Sequence, residues 1–327
     1  MLSVRFEQFG EPADVLRVEE QPKPVPVNGE VLVRMRARPI NPSDLLTVRG
    51  LYGSLPALPA TPGMEGVGLI ESLGPGVQNW QIGQRVIPLG TPGTWQEYLV
   101  VKAEQLIPVP DPISDAIAAQ FVVNPFAAWV MTTEELGLEP GQWLLQTAAG
   151  STLGRIVLQI ARVRGFKTIN IVRRREQVEE LKSLGADEVI CTDDEDLVKR
   201  VLEITDKQGV PAAIDAVGGQ TGADAARALG RHGVMLSYGL LSGEPMPIDV
   251  GQMIFRCSTV RGFWLSDWFR SVPVEKQRAV SAELLGLMAK GEIAPPVEAE
   301  YPLKDVIKAV QHAERRGRHG KVLLISD

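Results

Sequence analysis

A run of small residues between an apolar strand and an apolar helix is the first part of this sequence that could do chemistry. The strand covers Trp143 to Gln146, the turn Thr147 to Thr152, and the helix Leu153 to Arg164. Residues without bulk let the backbone approach a phosphate, and a helix start offers unpaired N–H groups and the positive end of the helix dipole. The turn therefore predicts a site for the pyrophosphate of a nucleotide.

This turn departs from the strict three-glycine pattern of dinucleotide-binding proteins. The pattern G-x-G-x-x-G would place glycine at positions 149, 151 and 154, whereas the chain has Ala149, Ser151 and Gly154. An ordinary tight turn between a strand and a helix would also use small residues. The turn alone therefore leaves both interpretations open.

Three consecutive arginines follow the second strand of this unit, which covers Thr168 to Val172. A site for NAD ends that strand with Asp or Glu, which accepts a hydrogen bond from the ribose 2′-hydroxyl. Arg173, Arg174 and Arg175 instead match a 2′-phosphate through charge-assisted hydrogen bonds. The alternative, a solvated helix start, would place positive charge at the unfavourable end of the helix dipole. We therefore expect NADPH rather than NADH.

Metal catalysis and a serine nucleophile are poorly supported. The first 190 residues contain neither Cys nor His, and His232, His312 and His319 show no paired spacing. The sequence contains no G-x-S-x-G motif. We expect no bound metal. A nicotinamide cofactor would bring the chemistry, and the protein would supply orientation, electrostatics and one acid.

Tyr52 is a candidate for that acid. Asp44 or Ser43 can cap a short helix over Leu45 to Arg49, and Tyr52 follows the end of this helix at Gly50. A tyrosine beside a cleft can donate a proton, whereas in the alternative role its amphipathic side chain fills the edge of a domain. Position alone favours the edge-filling role.

The elements that must position these residues predict an α/β protein of two domains. Residues 1–120 show short β-branched runs between turns rich in Pro and Gly, which predicts a mostly β module. Residues 121–265 alternate strands and helices, which predicts a doubly wound parallel sheet with Thr259 to Phe263 at its edge. Residues 266–327 are too few to bury a core alone, so we expect them to fold back onto the first module.

Composition excludes several classes of function. The chain has 327 residues, 44% of them hydrophobic, and a net charge of -6, which argues for a globular protein and against nucleic acid as the main partner. No apolar run of about eighteen residues and no secretory leader is visible, so we expect no membrane partner. The two cysteines, Cys191 and Cys257, fit a reducing cytosol. We therefore expect a cytoplasmic location.

Two N-terminal motifs carry a resemblance to a known family. Asn41-Pro42-Ser43-Asp44 and Pro62-Gly63-Met64-Glu65-Gly66, in a chain that joins a β module to a nucleotide domain, resemble the medium-chain dehydrogenase/reductase superfamily. The resemblance implies a GroES-like β module and a Rossmann domain. Zinc-dependent members have Gly-His-Glu in the second motif, and Met64 stands here in place of the histidine. The loop of structural zinc cysteines is also missing, so the resemblance is to a zinc-free branch.

Within that branch the chain most resembles the 2-enoyl thioester reductases of mitochondrial fatty-acid synthesis. The resemblance implies NADPH-dependent reduction of a C=C bond conjugated to a carbonyl, with Tyr52 as the catalytic acid, in fatty-acid metabolism. The segments that support it are Arg49-Gly50-Leu51-Tyr52, Val123-Asn124-Pro125, Thr168 to Arg173, Val217-Gly218-Gly219, Ser237-Tyr238-Gly239 and Arg261 to Trp268.

The resemblance also implies a set of cofactor contacts. This chain departs from the family pattern at Thr152, where relatives commonly have glycine, and at Arg174, where they usually have an acid. Phe263, Trp264 and Trp268 can line an acyl slot or pack in a core. The candidate cofactor contacts are Asn41, Asn124, Thr147, Gly150, Ser151, Thr152, Leu153, Arg173, Arg174, Arg175, Tyr238, Gly239, Leu240, Leu241, Phe263, Trp264, Leu265 and Lys321.

Two other functions remain open. The first is a zinc-free NADPH:quinone or enone oxidoreductase, which shares the cofactor and takes a small-molecule substrate. The second is a binding protein that keeps the fold and NADPH without turnover. In each case an apolar edge strand at residues 259–263 predicts pairing with a second copy, and the relatives by resemblance form dimers through that edge.

Overall fold

The computed structural model describes residues 1–326, which form two compact units. Unit 1 comprises Met1–Pro125 and the described residues from Leu285 on, and unit 2 comprises Phe126–Leu284. The strands are β1 (Leu2–Arg5), β2 (Arg17–Glu20), β3 (Glu30–Pro39), β4 (Val67–Leu73), β5 (Arg85–Pro88), β6 (Tyr98–Lys102), β7 (Leu106–Pro108), β8 (Trp143–Gln146), β9 (Lys167–Val172), β10 (Glu188–Cys191), β11 (Val210–Asp215), β12 (Leu229–Ser237), β13 (Thr259–Gly262), β14 (Val297–Pro302) and β15 (Lys321–Ile325).

The α-helices of the described residues are 4 to 16 residues long. Single 3₁₀ turns cover Ala103–Gln105 and Leu303–Asp305, and a π-helical turn covers Val130–Glu135. The α-helices are α1 (Pro12–Val15), α2 (Pro42–Arg49), α3 (Asp115–Ala118), α4 (Asn124–Trp129), α5 (Thr152–Arg164), α6 (Glu176–Ser183), α7 (Leu197–Ile204), α8 (Gly219–Arg227), α9 (Val250–Arg256), α10 (Leu265–Ser271), α11 (Val274–Ala289) and α12 (Val306–Ala313).

Unit 1 is built around the ten-residue strand β3. The sheet order is β14-β15-β3-β4-β5-β7, and β6 also pairs with β3. Val31, Val33 and Met35 alternate along β3 and are fully buried, as the period of two in a strand with one apolar face requires. The antiparallel pairing of Leu323 with Pro39 brings the C-terminal segment back to the N-terminal unit, as expected.

Unit 2 contains a six-stranded parallel sheet of order β10-β9-β8-β11-β12-β13. This is the doubly wound arrangement that the alternation of strands and helices predicts, with the strand order reversing between β8 and β11. The sheet buries Leu145, Ile171, Ile190 and Met235 in one core. The α/β fold class is confirmed, and β13 lies at the sheet edge as predicted.

Some local features differ from the sequence-based expectation. The sequence predicts no helix at residues 250–256, where α9 forms with Asp249 as its N-cap. The helical stretch that the sequence predicts from Ile113 to Leu136, with an interruption at Val123-Asn124-Pro125, forms α3, α4 and the π-helical turn, and α4 begins at Asn124. The boundaries between the two compact units lie at residues 125/126 and 284/285, whereas the sequence predicts domain boundaries at 120/121 and 265/266. Those domain limits stay a prediction.

None of the helices in residues 1–326 is both long enough and apolar enough to cross a bilayer.

Candidate active site

The small-residue turn of unit 2 joins β8 to α5 at the carboxyl edge of the parallel sheet. Ser151 is the N-cap of α5, and its hydroxyl accepts from the Gly154 N–H at 3.1 Å. The N–H groups of Thr152 and Leu153 belong to the first turn of the helix, where no carbonyl four residues earlier is available to accept them. The turn thus presents backbone donors and the positive helix end to an anion.

One fingerprint position, Gly154 in the first turn of α5, is required to be glycine by a close contact. A Cβ on Gly154 would lie 2.3 Å from the Ala149 carbonyl oxygen, so only glycine allows this approach of helix and turn. A Cβ on Gly150 would lie 2.2 Å from Nε2 of Gln177, the end of a flexible side chain of α6. Ala148 has a φ of 50°, in the left-handed region that favours glycine. The close packing of helix against turn that the third fingerprint glycine allows is therefore present.

Thr147 joins the turn to the neighbouring strand β11. Its hydroxyl donates to Asp215 Oδ1 at 2.6 Å and accepts from the Ala216 N–H at 2.9 Å. Asp215 in turn accepts from the Val217 and Gly218 N–H groups, at 3.0 and 2.9 Å. Because Thr147 is fully buried, its side chain serves this junction.

A buried arginine that the sequence analysis did not select supports the turn from α5. Arg155 is 8% exposed; its Nε donates to the Gly150 carbonyl at 3.2 Å, and its Nη2 lies 2.7 Å from Glu180 Oε1 on α6. The contact fixes the Gly150 peptide between two helices. No motif or spacing in the sequence identifies either Arg155 or its partner Glu180.

The three arginines follow β9 at the same edge of the sheet. Arg174 lies 3.2 Å from Glu176, and Arg175 lies 2.7 Å from Asp194. Arg173 is exposed, and its carbonyl accepts from the Cys191 thiol at 3.3 Å. The structure therefore brings the three guanidinium groups to the carboxyl end of one strand. Their contact with a 2′-phosphate stays a prediction.

The other unit 2 candidates follow β12 and β13. The Tyr238 N–H donates to the Asp215 carbonyl, and Leu240 and Leu241 are exposed. A Cβ on Gly239 would lie 2.5 Å from the Ala216 carbonyl oxygen. The candidates Phe263, Trp264 and Leu265 are half-buried.

Of the aromatic residues considered for an acyl slot, Trp268 belongs to a core. It is 5% exposed, and its ring centroid lies 5.6 Å from that of Phe126 and 5.4 Å from that of Phe269. The ring of Trp264 instead lies beneath the Arg270 guanidinium, whose central carbon is 4.6 Å from the ring centroid. The core-packing role is therefore the one the structure gives to Trp268.

Tyr52 of unit 1 lies just past the end of α2. Gly50, at a φ of 76°, ends the helix by donating to the Leu46 and Thr47 carbonyls, and the Leu51 N–H also donates to Leu46. A helix thus forms over the predicted residues, but the predicted cap is wrong: the helix begins at Pro42 with Asn41 as its N-cap, and Ser43 and Asp44 lie within its first turn. Tyr52 is half-buried. Its catalytic role stays a prediction.

The other unit 1 candidates lie in a buried polar cluster, which we define as Asn41, Asp44, Glu65, Asn124 and Lys321. Glu65 Oε1 accepts from Asn41 Nδ2 at 2.8 Å. Glu65 Oε2 accepts from the Val122 and Val123 N–H groups at 2.9 and 2.8 Å. Asn124 Nδ2 donates to Asn41 Oδ1 at 3.4 Å. Asn41 has no exposed surface, whereas Asn124 and Lys321 retain 7% and 6%.

Burial governs the protonation of this cluster. Desolvation raises the pKa of Glu65 to about 7, although its hydrogen bonds and Lys321 act in the opposite direction. Desolvation also raises the pKa of Asp44 to about 7, and it lowers the pKa of Lys321 to about 8. Asp44 and Glu65 were not selected individually from the sequence, although both lie in the two quoted N-terminal motifs.

A metal site was sought among the same residues. Within residues 1–326, no group of three or more His, Cys, Asp or Glu side chains is arranged to hold a metal ion. Met64 occupies the position at which zinc-dependent relatives by resemblance have a histidine.

Family models match both parts of the chain. Residues 27–111 match the alcohol dehydrogenase GroES-like domain, and residues 152–281 match the zinc-binding dehydrogenase family. The mitochondrial enoyl-[acyl-carrier-protein] reductase of Xenopus tropicalis is 35% identical over 330 residues, covering 98% of this chain and 94% of the relative. The same enzyme of Caenorhabditis elegans is 38% identical over 295 residues, covering 88% and 84%.

Solved structures of two functional classes have the same fold. An NADPH:quinone reductase from Bacillus thuringiensis, given as putative, superposes with a TM-score of 0.94 at 38% identity, covering 100% of this chain and 99% of the other. The structure of a complex of Etr1p with NADP and crotonyl-CoA superposes with a TM-score of 0.89 at 27% identity, covering 99% of both chains. The mitochondrial 2-enoyl thioester reductase Etr1p/Etr2p heterodimer from Candida tropicalis gives 0.89 at 28%, also covering 99% of both.

Proposed function

Because this chain belongs to the medium-chain dehydrogenase/reductase superfamily, we propose that it is an NADPH-dependent reductase of 2-enoyl thioesters. The observation that carries the proposal is the identity with enoyl-[acyl-carrier-protein] reductases over nearly the whole of both chains. The enzyme is an oxidoreductase that acts on a C=C bond conjugated to a carbonyl, and it needs no zinc.

The residues of unit 2 fit NADPH. The turn from Thr147 to Ser151 consists of small residues and leads into the first N–H groups of α5, which can donate to a pyrophosphate. The arginines after β9 supply positive charge where an NAD site would have an acid. Arg173, Arg174 and Arg175 would hold the 2′-phosphate, and Thr152 and Leu153 would donate to the pyrophosphate.

When bound, the cofactor supplies the hydride that adds to the β carbon of the substrate. Addition at that carbon places negative charge on the thioester oxygen, and hydrogen-bond donors of the protein stabilise this enolate. Tyr52 then donates its hydroxyl proton to the α carbon, so that one hydride and one proton saturate the C=C bond. The tyrosine recovers its proton from solvent before the next turnover.

A cofactor-oxidation assay across several acceptors tests this function. Crotonyl-CoA and a crotonyl carrier-protein thioester should be reduced with a higher kcat/KM than 1,4-benzoquinone or a simple enone. The product should be the saturated thioester, identified by mass spectrometry. A higher kcat/KM for the quinone would reject the proposal in favour of the second candidate.

That second candidate is an NADPH:quinone oxidoreductase. It is favoured by the 38% identity with the Bacillus thuringiensis structure, which exceeds the identity with Etr1p. A protein that binds NADPH without turnover is the third candidate, and it predicts tight binding with no oxidation in the presence of any acceptor. The three candidates therefore give three different results in one assay.

We also propose a homodimer formed through the edge of the unit 2 sheet. In that sheet β13 pairs on one side with β12, and the adjacent helix α9 exposes Val250, Ile254 and Phe255 at 63%, 63% and 84%. An open edge strand beside apolar side chains favours pairing with a second copy. The mass in solution at micromolar concentration tests this assembly.

The proposed location is the cytoplasm. Cys191 and Cys257 are both free thiols, as expected in a reducing compartment, whereas the relatives named above are mitochondrial. Cell fractionation with an antibody to the chain would distinguish the two compartments.

A further inference from the structure

Three side chains in the buried polar cluster of unit 1 form a chain of directed hydrogen bonds. Glu65 accepts from Asn41 Nδ2 at 2.8 Å, and Asn41 Oδ1 accepts from Asn124 Nδ2 at 3.4 Å. Glu65 is 1% exposed and Asn41 0%. We call this sequence of bonds, from Glu65 through Asn41 to Asn124, the amide relay.

The direction of the relay begins at Glu65. Above the pKa of about 7 to which burial raises Glu65, the ionised carboxylate has no proton to donate, so each of its partners must be a donor. Its Oε2 accepts two backbone N–H groups, from Val122 and Val123, which fixes the carboxylate in place and leaves Oε1 for Asn41. Asn41 must therefore present its NH₂ group to Glu65.

The orientation of Asn41 then determines that of Asn124. With the Asn41 NH₂ group on Glu65, its Oδ1 faces Asn124, which can meet it only with an NH₂ group. The remaining end of the Asn124 amide is its Oδ1, an acceptor. The relay thus makes Asn124 complementary to a hydrogen-bond donor.

We propose that Glu65 is a positioning residue that acts through Asn41 to hold Asn124 as an acceptor for a donor group of NADPH, a ribose hydroxyl or the carboxamide NH₂. This inference rests on the proposed function, because the resemblance implies the contact between Asn124 and the cofactor. It also assigns Asn41, which has no exposed surface, to the interior of the relay and not to the cofactor.

Replacing Glu65 by glutamine should reverse the relay. In E65Q the amide oxygen can still accept from Val122 and Val123, so the NH₂ group of the new side chain must face Asn41. Two facing NH₂ groups repel each other, and Asn41 must rotate to offer its oxygen. Asn124 then rotates as well, because Asn41 now offers it a donor, and Asn124 presents NH₂ to NADPH in place of an oxygen.

A second substitution should restore the original direction. In the double variant N41D/E65Q, one oxygen of the new aspartate accepts from the glutamine NH₂ group, and the other accepts from Asn124 Nδ2. Asn124 again presents its oxygen. The total charge of the relay is the same as in the wild type, since one carboxylate has moved from position 65 to position 41.

Calorimetric titration with NADPH at a pH above the Glu65 pKa of about 7, where the carboxylate is ionised, tests the relay without any turnover. E65Q should bind NADPH at least about tenfold more weakly than the wild type, since a donor replaces an acceptor at the contact. N41D/E65Q should bind within about threefold of the wild type. The matched control is E97Q, the same change at a half-buried carboxylate of unit 1 that accepts the Leu2 N–H at 2.7 Å and lies outside the buried polar cluster. E97Q should bind within about twofold of the wild type.

Three results would overturn the relay: wild-type affinity in E65Q, a double variant as weak as E65Q, or an equal loss in E97Q. Thermal unfolding of each variant shows whether it is folded. If E65Q does not fold, the affinity of N41D/E65Q alone tests the relay. A folded double variant that binds NADPH more than about tenfold more weakly than the wild type contradicts the proposal. These titrations use no acceptor, so an absence of enoyl reductase activity would reject the proposed function and leave the relay result intact.

Discussion

Arg155 Nε donates to the carbonyl oxygen of Gly150 at 3.2 Å, across the turn that opens α5. The guanidinium group also contacts Glu180 of the next helix, α6, at 2.7 Å. The two contacts hold the Gly150 peptide in the turn whose following N–H groups would donate to a pyrophosphate. The pair therefore links the packing of two helices to the shape of the pyrophosphate site.

Arg155→Met should weaken NADPH binding by about tenfold, because the Gly150 peptide loses its anchor and Glu180 is left as a half-buried carboxylate without this partner. Fluorescence titration of NADPH measures the change. The control is Arg200→Met, which removes an arginine that pairs with Glu203 on the more exposed surface of α7. An equal loss of affinity in both variants would contradict the role of Arg155.

The arginines after β9 should differ in their contribution to the 2′-phosphate. Arg174 and Arg175 already pair with Glu176 and Asp194, so a phosphate must compete with these acids. Arg173→Ala should therefore weaken NADPH binding most, by about tenfold, and leave NADH binding within about twofold.

The ratio of the Kd values for NADH and NADPH measures this preference, and low salt makes the difference larger. Arg164→Ala is the control, since Arg164 is an arginine of the same unit at the far end of α5. If Arg173→Ala weakened the binding of NADH and NADPH equally, the Arg173 guanidinium group would not be in contact with the 2′-phosphate.

Tyr52→Phe removes only the hydroxyl group that would protonate the α carbon. Turnover of crotonyl-CoA should fall by roughly a hundredfold, and NADPH affinity should stay nearly unchanged. Tyr98→Phe is the control in the same unit. Tyr98 lies on β6, and its ring centroid is 4.0 Å from Nζ of Lys23. Unaltered turnover in Tyr52→Phe would remove this tyrosine from the mechanism.

Much of unit 2 could be predicted from the sequence because its signals are local. The strand, turn and helix from Trp143 to Arg164 are adjacent in the chain, and their periodicity and small residues specify a βαβ unit. The arginines follow β9 directly. Alternation of further strands and helices then fixes a parallel sheet, whose connections follow a single hand.

The polar contacts between distant segments could not be predicted in the same way. Glu65 meets Asn41, Val122 and Val123 only after β3, β4 and the segment before α4 have packed together. Arg155 and Glu180 lie on successive helices, and no periodicity pairs them. Trp268 shows the same limit, because its sequence context does not distinguish a core position from the wall of a slot.

The stability of the protein should depend on pH through Asp44, whose pKa burial raises from 3.8 to about 7. Between about pH 4 and pH 7 the folded protein holds a proton on Asp44 that the unfolded chain has lost, so the free energy of unfolding falls as the pH rises through this window. Asp44→Asn removes that titration and keeps an acceptor for the Asn41 N–H. The variant should therefore gain stability relative to the wild type, by about 2 kcal/mol, between pH 5 and pH 8.

Urea unfolding at pH 5 and pH 8 measures this difference. Burial also raises the pKa of Glu65 and lowers the pKa of Lys321 to about 8, so the wild type and the variant both keep a pH dependence from these two groups. Only the difference in stability between the wild type and the variant reports on Asp44. Asp14→Asn is the matched control, because Asp14 occupies the same position in α1, two residues after a first-turn proline, and is exposed. A variant whose stability changes with pH as the wild type does would show that Asp44 ionises in the folded protein without cost, and that the buried cluster is better solvated than its packing indicates.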